Sequence, residues 1–368
     1  MLNQYLTIKE LTNAVGNGIT PRMVRHYHAS GVLPPPVRSQ SNYRLYTQND
    51  VQRLRRIVAL KQQGFQLSHI GKLLETDRDV PQADTLTPLL QQQYQSVMQK
   101  LGQLRRTASA LEGLLGRDRY CQEIQAEAIA QLRHLEVETA DQVDILETLW
   151  IALDAAIDDH PEAFSESLEQ LLPDLSNRSE IEADLLSKLV LACGDVSLVQ
   201  FVRIGRGAIA AARNSLKAGC QVVGDVPAVV GAIDQTRLLH LKCTVETMIK
   251  DPHITSAAEA EASFWQYHRQ QDRWQELEAG CVLVIGYAPS ILLSVIEAIE
   301  QGQLQPALVI GMPIGFSHAP AAKRRLMRCG IPSITIEGTF GGGLLAAVTL
   351  NALAESLIEK PDCHCYLS

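Results

Sequence analysis

The chain has 368 residues, of which 46% are hydrophobic and 20% are charged. This length exceeds the roughly 100 to 200 residues of one ordinary domain, so we expect at least two globular domains rather than a disordered chain. The apolar runs are shorter than the ~18 residues of a membrane-spanning helix, and the N-terminus lacks the pattern of an export signal. We therefore predict a cytoplasmic protein with no membrane contact, and its eight cysteines are expected to be reduced thiols.

The net charge of −8 conceals two regions of opposite sign. Residues 1–76 carry ten Lys and Arg against three Asp and Glu, whereas residues 120–180 carry two against fifteen. The net charge argues against nucleic-acid binding by the whole surface, but the basic N-terminal module is suited to it.

The first predicted elements are two short helices joined by a glycine turn. Thr7 and Glu10 form a capping box at the start of the first helix, and Gly16 ends it. Thr20 and Pro21 begin the second helix as its N-cap and first residue. Such a helix-turn-helix can insert its second helix into the major groove of DNA.

A short β wing is predicted next, at residues 42–46. It precedes a third helix, which Thr47 and Asp50 begin with another candidate capping box. The second helix and the wing supply the candidate DNA contacts, which are Thr20, Arg22, Arg25, Tyr27, Arg44 and Tyr46.

Several spaced segments of the first 115 residues resemble the MerR family of transcription activators. The matching segments, in the family's order, are residues 24–27, 31–33, 42–46, 50–54 and 64–74. The resemblance implies a winged helix-turn-helix DNA-binding domain over residues 1–76. It also implies a homodimer on double-stranded promoter DNA, where the dimer distorts an overlong spacer so that RNA polymerase engages both promoter elements.

A long helix is predicted at residues 87–115, and we assign residues 84–118 to it as a dimerisation segment. Its apolar residues alternate spacings of four and three, which is the pattern of a coiled-coil seam. A seam of this length needs a partner helix, from a second chain or, as the alternative, from the same chain. The seam consists of Leu90, Tyr94, Val97, Leu101, Leu104, Ala108, Leu111 and Leu115.

Residues 119–178 are predicted to form an acidic helical connector. Apolar residues recur there with helical periodicity, and the carboxylates lie mostly between them. The alternative is a metal or partner site that uses Cys121, His134 or the Asp-Asp-His triplet at residues 158–160.

Beyond residue 178 short apolar strands alternate with helical stretches, which predicts an α/β domain with a mostly parallel sheet. The predicted strands cover residues 221–226, 281–285, 307–310 and 333–336. Loops rich in glycine and proline follow several strands, where open α/β sheets bind their ligands. The predicted fold class is therefore multidomain, α plus α/β.

These loops resemble those of precorrin-8X methylmutase, the cobalamin-pathway enzyme that moves a methyl group around the corrin ring. The resemblance spans residues 181–353, within a predicted domain of residues 179–358. It places Leu191 at the position of the family's catalytic histidine, and leucine has no proton to donate. The domain is therefore expected to be no enzyme, although its candidate tetrapyrrole pocket remains: Asp225, Tyr287, Ser290, Gly341, Gly342 and Gly343.

The tail of residues 359–368 contains Cys363, His364 and Cys365. Two thiolates and an imidazole are suitable ligands for a late transition metal, although further ligands must come from elsewhere. The alternative is an unstructured terminus without a metal.

The combination of these parts along the whole chain resembles the cobalt-responsive activators of cyanobacteria that switch on a cobalt-efflux ATPase. The resemblance implies Co2+ as the effector, bound by the tail. Two alternatives stay open: a regulator whose effector is a corrin intermediate in the methylmutase-like pocket, and a bifunctional precorrin-8X methylmutase.

Overall fold

The computed structural model describes residues 5–16, 18–40, 42–62, 64–75, 83–115, 162–268 and 276–361. The chain divides into two compact units, Met1–Leu114 and Leu115–Ser368. No helix in these described stretches is long and apolar enough to cross a membrane.

The first unit is helical apart from a small antiparallel wing. Its elements in chain order are α1 (Ile8–Val15), α2 (Pro21–Ala29), β1 (Val37–Arg38), β2 (Arg44–Leu45), α3 (Gln48–Gln62), α4 (Leu67–Glu75) and α5 (Ala83–Leu115). The capping box of Thr7 and Glu10 on α1 is confirmed, and so is the Thr20 cap on α2. Thr47 and Asp50 exchange equivalent hydrogen bonds at the start of α3.

One apolar core holds the first unit together. The buried side chains come from α1 to α4, the turn after α2 and the end of the wing, and they are Leu11, Val24, Tyr27, Val32, Leu33, Tyr46, Val51, Leu54, Ile57, Val58, Ile70 and Leu74. The wing pairs Val37 with Leu45, and a bridge from Leu6 to Tyr46 ties it to the start of the chain. The predicted winged helix-turn-helix is confirmed.

Helix α5 extends beyond the first core and begins four residues before its predicted start at residue 87. Seven residues of the predicted seam are exposed, namely Leu90, Tyr94, Val97, Leu101, Leu104, Ala108 and Leu111. Within the described part of the chain this stripe therefore has no covering partner.

The second unit is an α/β domain. Its strands are β3 (Val202–Ile204), β4 (Gln221–Gly224), β5 (Thr244–Thr247), β6 (Val282–Ile285), β7 (Leu308–Gly311) and β8 (Ser333–Ile336). Its helices are α6 (Phe164–Leu171), α7 (Glu180–Cys193), α8 (Ala208–Lys217), α9 (Pro227–Ala232), α10 (Gln235–His240), α11 (Ala257–Ser263), α12 (Pro289–Glu300), α13 (His318–Leu326) and α14 (Gly343–Glu359).

The six strands form one sheet in the order β3-β8-β7-β6-β4-β5. All neighbouring pairs are parallel except β3 with β8. Strands β4, β6, β7 and β8 are buried throughout, as expected for a parallel sheet with both faces covered by helices. The predicted α/β fold is confirmed.

The predicted strand bounds need small corrections. Strand β4 ends at Gly224, two residues early, because the backbone of Val226 already caps α9. Of the predicted connector, residues 119–161 lie outside the described residues, as do Cys121, His134 and the triplet at 158–160. The described remainder contains α6.

Candidate functional site

Helix α2 and the wing present the basic side chains predicted to contact DNA. Thr20 caps α2, its hydroxyl accepting a hydrogen bond from the backbone N–H of Met23 at 3.3 Å. Arg22 and Arg25 are exposed on α2, and Arg44 is exposed on β2. These three guanidinium groups are available to phosphates or base edges without rearrangement.

Tyr27 and Tyr46 occupy a different place from the one predicted. Tyr27 is 4% exposed and Tyr46 is 0% exposed, so both rings belong to the core. The Tyr46 hydroxyl lies 3.3 Å from Nε2 of His28, and the two rings are stacked. The sequence-based assignment of these rings to the DNA-facing surface is corrected: they support α2 and the wing from behind.

A buried polar contact that sequence analysis missed joins α5 to α4 and to the turn after α3. His69 Nδ1 lies 2.6 Å from Oε1 of Gln93, and Gln93 Nε2 donates to the carbonyl of Gly64 at 2.9 Å. His69 and Gln93 are each 7% exposed. Because buried polar groups are costly to separate, α4 and α5 are held in one relative position.

At the carboxyl edge of the large sheet, Asp225 organises the loop that follows β6. Its Oδ2 accepts hydrogen bonds from the backbone N–H groups of Gly286, Tyr287 and Ala288 at 3.0, 2.6 and 3.1 Å. Its Oδ1 accepts one from Val226 at 3.1 Å. Burial raises the pKa of Asp225 to about 6, against the lowering effect of these bonds. This predicted pocket residue is fully buried and shapes the loop from below.

The triple-glycine loop before α14 fits against the loops that follow β6 and β7. A Cβ atom on Gly343 would lie 2.3 Å from Cε2 of Tyr287, and one on Gly341 would lie 2.3 Å from the carbonyl oxygen of Met312. Glycine is required at both positions because backbone and ring approach so closely. The structure thus brings Asp225, Tyr287 and the predicted glycines together at one edge of the sheet.

Ser290 lies at the start of α12 and is 4% exposed. Its hydroxyl donates a very short hydrogen bond to Oε1 of Glu261, and it accepts one from Nε1 of Trp265 at 3.0 Å. The backbone N–H of Ser290 donates to Oε2 of Glu261 at 3.1 Å. Glu261 and Trp265 were not predicted, because only the fold brings residues so far apart in sequence together.

Lys323 is a further buried residue at this edge that sequence analysis missed. Its side chain is 0% exposed, and Nζ donates to the carbonyls of Gly338, at 3.2 Å, and Phe340. Burial lowers the pKa of this amine to about 8. Lys323 therefore anchors the segment that leads into the triple-glycine loop.

The position predicted to have lost its catalytic histidine lies near the end of α7. Leu191 is 48% exposed, and α7 ends at Gly194 in a left-handed conformation. The following segment reaches Phe201, whose ring lies 5.5 Å from that of Phe340 in the loop after β8. The end of α7 is thus connected to the same edge of the sheet.

The predicted metal ligands Cys363, His364 and Cys365 lie outside the described residues. The segment that leads to them is held firmly, because the buried guanidinium of Arg213 donates to the carbonyls of Lys360 and Pro361 at 3.0 and 3.3 Å. Across the described stretches, no group of three or more His, Cys, Asp and Glu is arranged to hold a metal ion.

Known families match both units. The family described as precorrin-8X methylmutase matches residues 162–356, starting inside the predicted connector. The family described as MerR HTH family regulatory protein matches residues 6–77, and the one described as MerR, DNA binding, matches residues 51–114.

Two curated relatives resemble the second unit. A precorrin-8X methylmutase of Sinorhizobium sp. is 34% identical over 186 residues, which cover 49% of this chain and 86% of its own. A precorrin-8X methylmutase from Pseudomonas aeruginosa is 32% identical over 187 residues, which cover 49% of this chain and 88% of its own. The solved precorrin-8X methylmutase of Thermus thermophilus is 29% identical, covers 54% of this chain and 96% of its own, and has a TM-score of 0.44. The chain therefore belongs to the precorrin-8X methylmutase family through residues 162–356, and it carries a MerR-type DNA-binding regulator region ahead of that domain.

Proposed function

We propose that this protein is a cobalt-responsive transcriptional activator of a cobalt-efflux gene. It binds promoter DNA as a homodimer and places RNA polymerase on a distorted promoter. The observation that carries the proposal is the joining of a MerR-type DNA-binding region to a methylmutase-family domain, and the sequence resemblance adds the expectation that Leu191 takes the place of the catalytic histidine.

The methylmutase-like domain serves regulation rather than methyl transfer. The family's histidine delivers a proton to the macrocycle, a general-acid role worth ~10² to 10⁴ in rate. Leu191 offers only hydrocarbon at that position. Nearby Cys193 is no replacement, because its thiol donates to the carbonyl of Leu189 at 3.3 Å and an ordinary thiol is a weak acid.

The donor set of the tail suits cobalt. Cys363, His364 and Cys365 would hold Co2+ through two thiolate sulfurs and an imidazole nitrogen, with further ligands from elsewhere in the dimer. These donors also favour copper, nickel and zinc by the Irving–Williams order, so selectivity for cobalt must come from geometry, access or metal availability. The bound cation supplies a cross-link among these side chains.

The anchored first residues of the tail provide a route from metal to protein. Arg213 fixes the carbonyl of Pro361, two residues before Cys363, and Lys360 pairs with Glu180 at the start of α7 at 2.5 Å. Metal binding activates only if it stabilises the DNA-distorting conformation, by a coupling of typically ~1 to 3 kcal/mol. Because Lys360 and Pro361 are held in place, a movement of the metal ligands would be transmitted to the domain.

The exposed stripe of α5 supports the homodimer. A run of exposed leucines and aromatics at coiled-coil spacing is buried by a second copy of the same helix. The dimer then presents two copies of α2 to the two halves of a pseudo-palindrome.

The proposal is tested by transcription in vitro on DNA selected by the protein from a random duplex library. Co2+ is expected to raise transcript yield with wild-type protein and with the Cys329→Ser control. The Cys363→Ser, Cys365→Ser variant should bind the same DNA with unchanged affinity and fail to respond. Equal cobalt induction in the tail variant would contradict the assignment of the tail.

A corrin intermediate bound at the carboxyl edge of the sheet is a second candidate effector. The observation that favours it is the exposed apolar rim of Trp265, Phe316 and Phe340 beside the interlocked loops, with Phe316 91% exposed. Titration of the purified protein with hydrogenobyrinic acid, followed by absorption, tests this candidate. Absence of binding at millimolar ligand would remove it, and turnover of precorrin-8X would instead support a bifunctional enzyme.

A further inference from the structure

Three cysteines of the second unit occupy equivalent places in the fold. Each directly precedes a strand of the parallel sheet and directly follows a residue with left-handed backbone. The pairs are Gly219 with Cys220 before β4, Lys242 with Cys243 before β5, and Gly280 with Cys281 before β6. They lie at the amino edge of the sheet, opposite the loops of the candidate pocket.

The strand register brings two of these cysteines face to face. Strands β4 and β5 pair Gln221 with Thr244, so one step earlier Cys220 lies opposite Cys243. Neighbouring strands are ~4.8 Å apart, and disulfides join Cα atoms separated by ~4.4 to 6.8 Å. The separation expected of the two Cα atoms therefore falls within the range that a disulfide spans.

The third cysteine is displaced from this pair. Val222 lies opposite Val282, so Cys281 aligns with Gln221 and is one position out of register with Cys220. Alternate positions along a strand point to opposite faces of the sheet. Cys281 is also 0% exposed, and burial raises the pKa of its thiol to about 11.

The two facing thiols interact with each other. A hydrogen bond from Cys220 lowers the pKa of the Cys243 thiol, which favours a thiolate on Cys243. Cys243 is 7% exposed, whereas Cys220 is only partly buried. A thiol of lowered pKa beside a second thiol is typical of cysteines that oxidise reversibly.

We propose that Cys220 and Cys243 are a redox modification site whose substrate is a hydroperoxide and whose product is a disulfide between β4 and β5. The Cys243 thiolate attacks the peroxide O–O bond, which gives a sulfenic acid and, after protonation, one water from hydrogen peroxide. The Cys220 sulfur then displaces the hydroxyl group from the sulfenic sulfur and loses its proton, which releases the second water. Two thiols are oxidised by two electrons in total, and one peroxide is reduced.

Peptide mapping of the oxidised full-length protein tests the site. The protein carries Cys363→Ser and Cys365→Ser, so that the tail contributes no thiol, and it is treated with hydrogen peroxide and alkylated before non-reducing digestion. We expect a peptide linked through Cys220 and Cys243, and a loss of two alkylatable thiols per chain that dithiothreitol reverses. Because the tail cysteines are replaced in this experiment, its outcome does not depend on the cobalt proposal.

Matched variants decide whether the pair is specific. Cys281→Ser should leave the linked peptide and its rate of formation unchanged. Cys220→Ser should abolish the link and leave a sulfenic acid on Cys243 that dimedone traps. Absence of the Cys220–Cys243 peptide in the parent protein, or an equal yield of peptides linked through Cys281, would overturn the proposal.

Discussion

The two units differ in where their functional groups find partners. In the first unit the guanidinium groups of Arg22 and Arg25 and the side chain of Leu104 project into solvent. In the second unit Asp225 and Lys323 are buried and bonded to the loops at the sheet edge. The functional groups of the first unit are thus open to solvent, whereas those of the second are bonded to the loops of their own domain.

This difference bears on the proposal that Leu191 occupies the catalytic position, because it would let a methylmutase-family domain keep its shape after such a change. The loops depend on Asp225, on Lys323 and on glycines that permit close contact, and none of these bonds involves Leu191. Under the proposed function, leucine at residue 191 removes a proton donor without removing a structural support, and the intact fold serves regulation.

The largest expected effect is a loss of stability when Asp225, which holds the loop after β6, is replaced. Asp225→Ala leaves the backbone N–H groups of three loop residues without their acceptor, so we expect the free energy of unfolding to fall by about 3 to 5 kcal/mol. Urea denaturation measures this free energy of unfolding. Asp184→Ala, which removes a partly exposed ion pair with Lys188, should cost no more than about 1 kcal/mol. Equal losses in the two variants would deny Asp225 its organising role.

The next effect concerns the proposed dimer seam on α5. Leu104 is 68% exposed on α5, and Leu104→Glu would place two charges in the proposed dimer seam. We expect the dimer dissociation constant, measured by sedimentation, to rise about a hundredfold or more, equivalent to ~3 kcal/mol. Gln99→Glu on the same helix is the control and should change it little. If Leu104→Glu leaves the dimer intact, the seam lies elsewhere.

Burial of Lys323 predicts a pH dependence of the stability of the second unit. Its pKa is about 8 in the folded protein and about 10.4 in an unfolded chain, so the unfolded state binds more protons between these values. The stability of wild type relative to Lys323→Met should therefore rise from about pH 8 to about pH 10.5, by up to about 3 kcal/mol. Denaturation across this range measures it, with exposed Lys217→Met as the flat control. A relative stability that falls with pH would reverse the assigned sign.

The smallest effect is on DNA affinity, and it compares an exposed residue of the first unit, Arg25, with a buried one, Tyr46. Arg25→Ala should weaken DNA binding about tenfold and lower the slope of log affinity against log salt by about one. Tyr46→Phe removes the contact with His28 and should cost about 1 kcal/mol of stability while leaving DNA affinity unchanged. Fluorescence anisotropy at several salt concentrations tests both. A salt slope that Tyr46→Phe changes as much as Arg25→Ala would contradict the placement of Tyr46 in the core.

Features that depend on neighbours in sequence were predictable. The cap joins Thr7 to Glu10, three positions further along the chain, and strand β8 is predicted at its observed bounds because Ile334, Thr335 and Ile336 are β-branched. Tyr27 was misplaced although a signal existed, since it lies three residues after buried Val24 and so on the same face of α2.

Features that depend on distant segments were not predictable. The bond of Glu261 to Ser290 and the bond of Lys323 to the loop after β8 exist only because parallel strands align their loops at one edge. No local pattern marks a glutamate or lysine for such a role. The alignment of Cys220 with Cys243 likewise required the observed strand register.

The central claim, that a cobalt signal enters through the tail of a methylmutase-family domain, is tested most directly by a Co2+ titration of the reduced protein followed by optical absorption. Wild type is compared with the Cys363→Ser, Cys365→Ser variant. We predict an intense thiolate-to-cobalt charge-transfer band that saturates in wild type and is absent from the variant. The same band in both proteins, or no band in wild type, would contradict the claim.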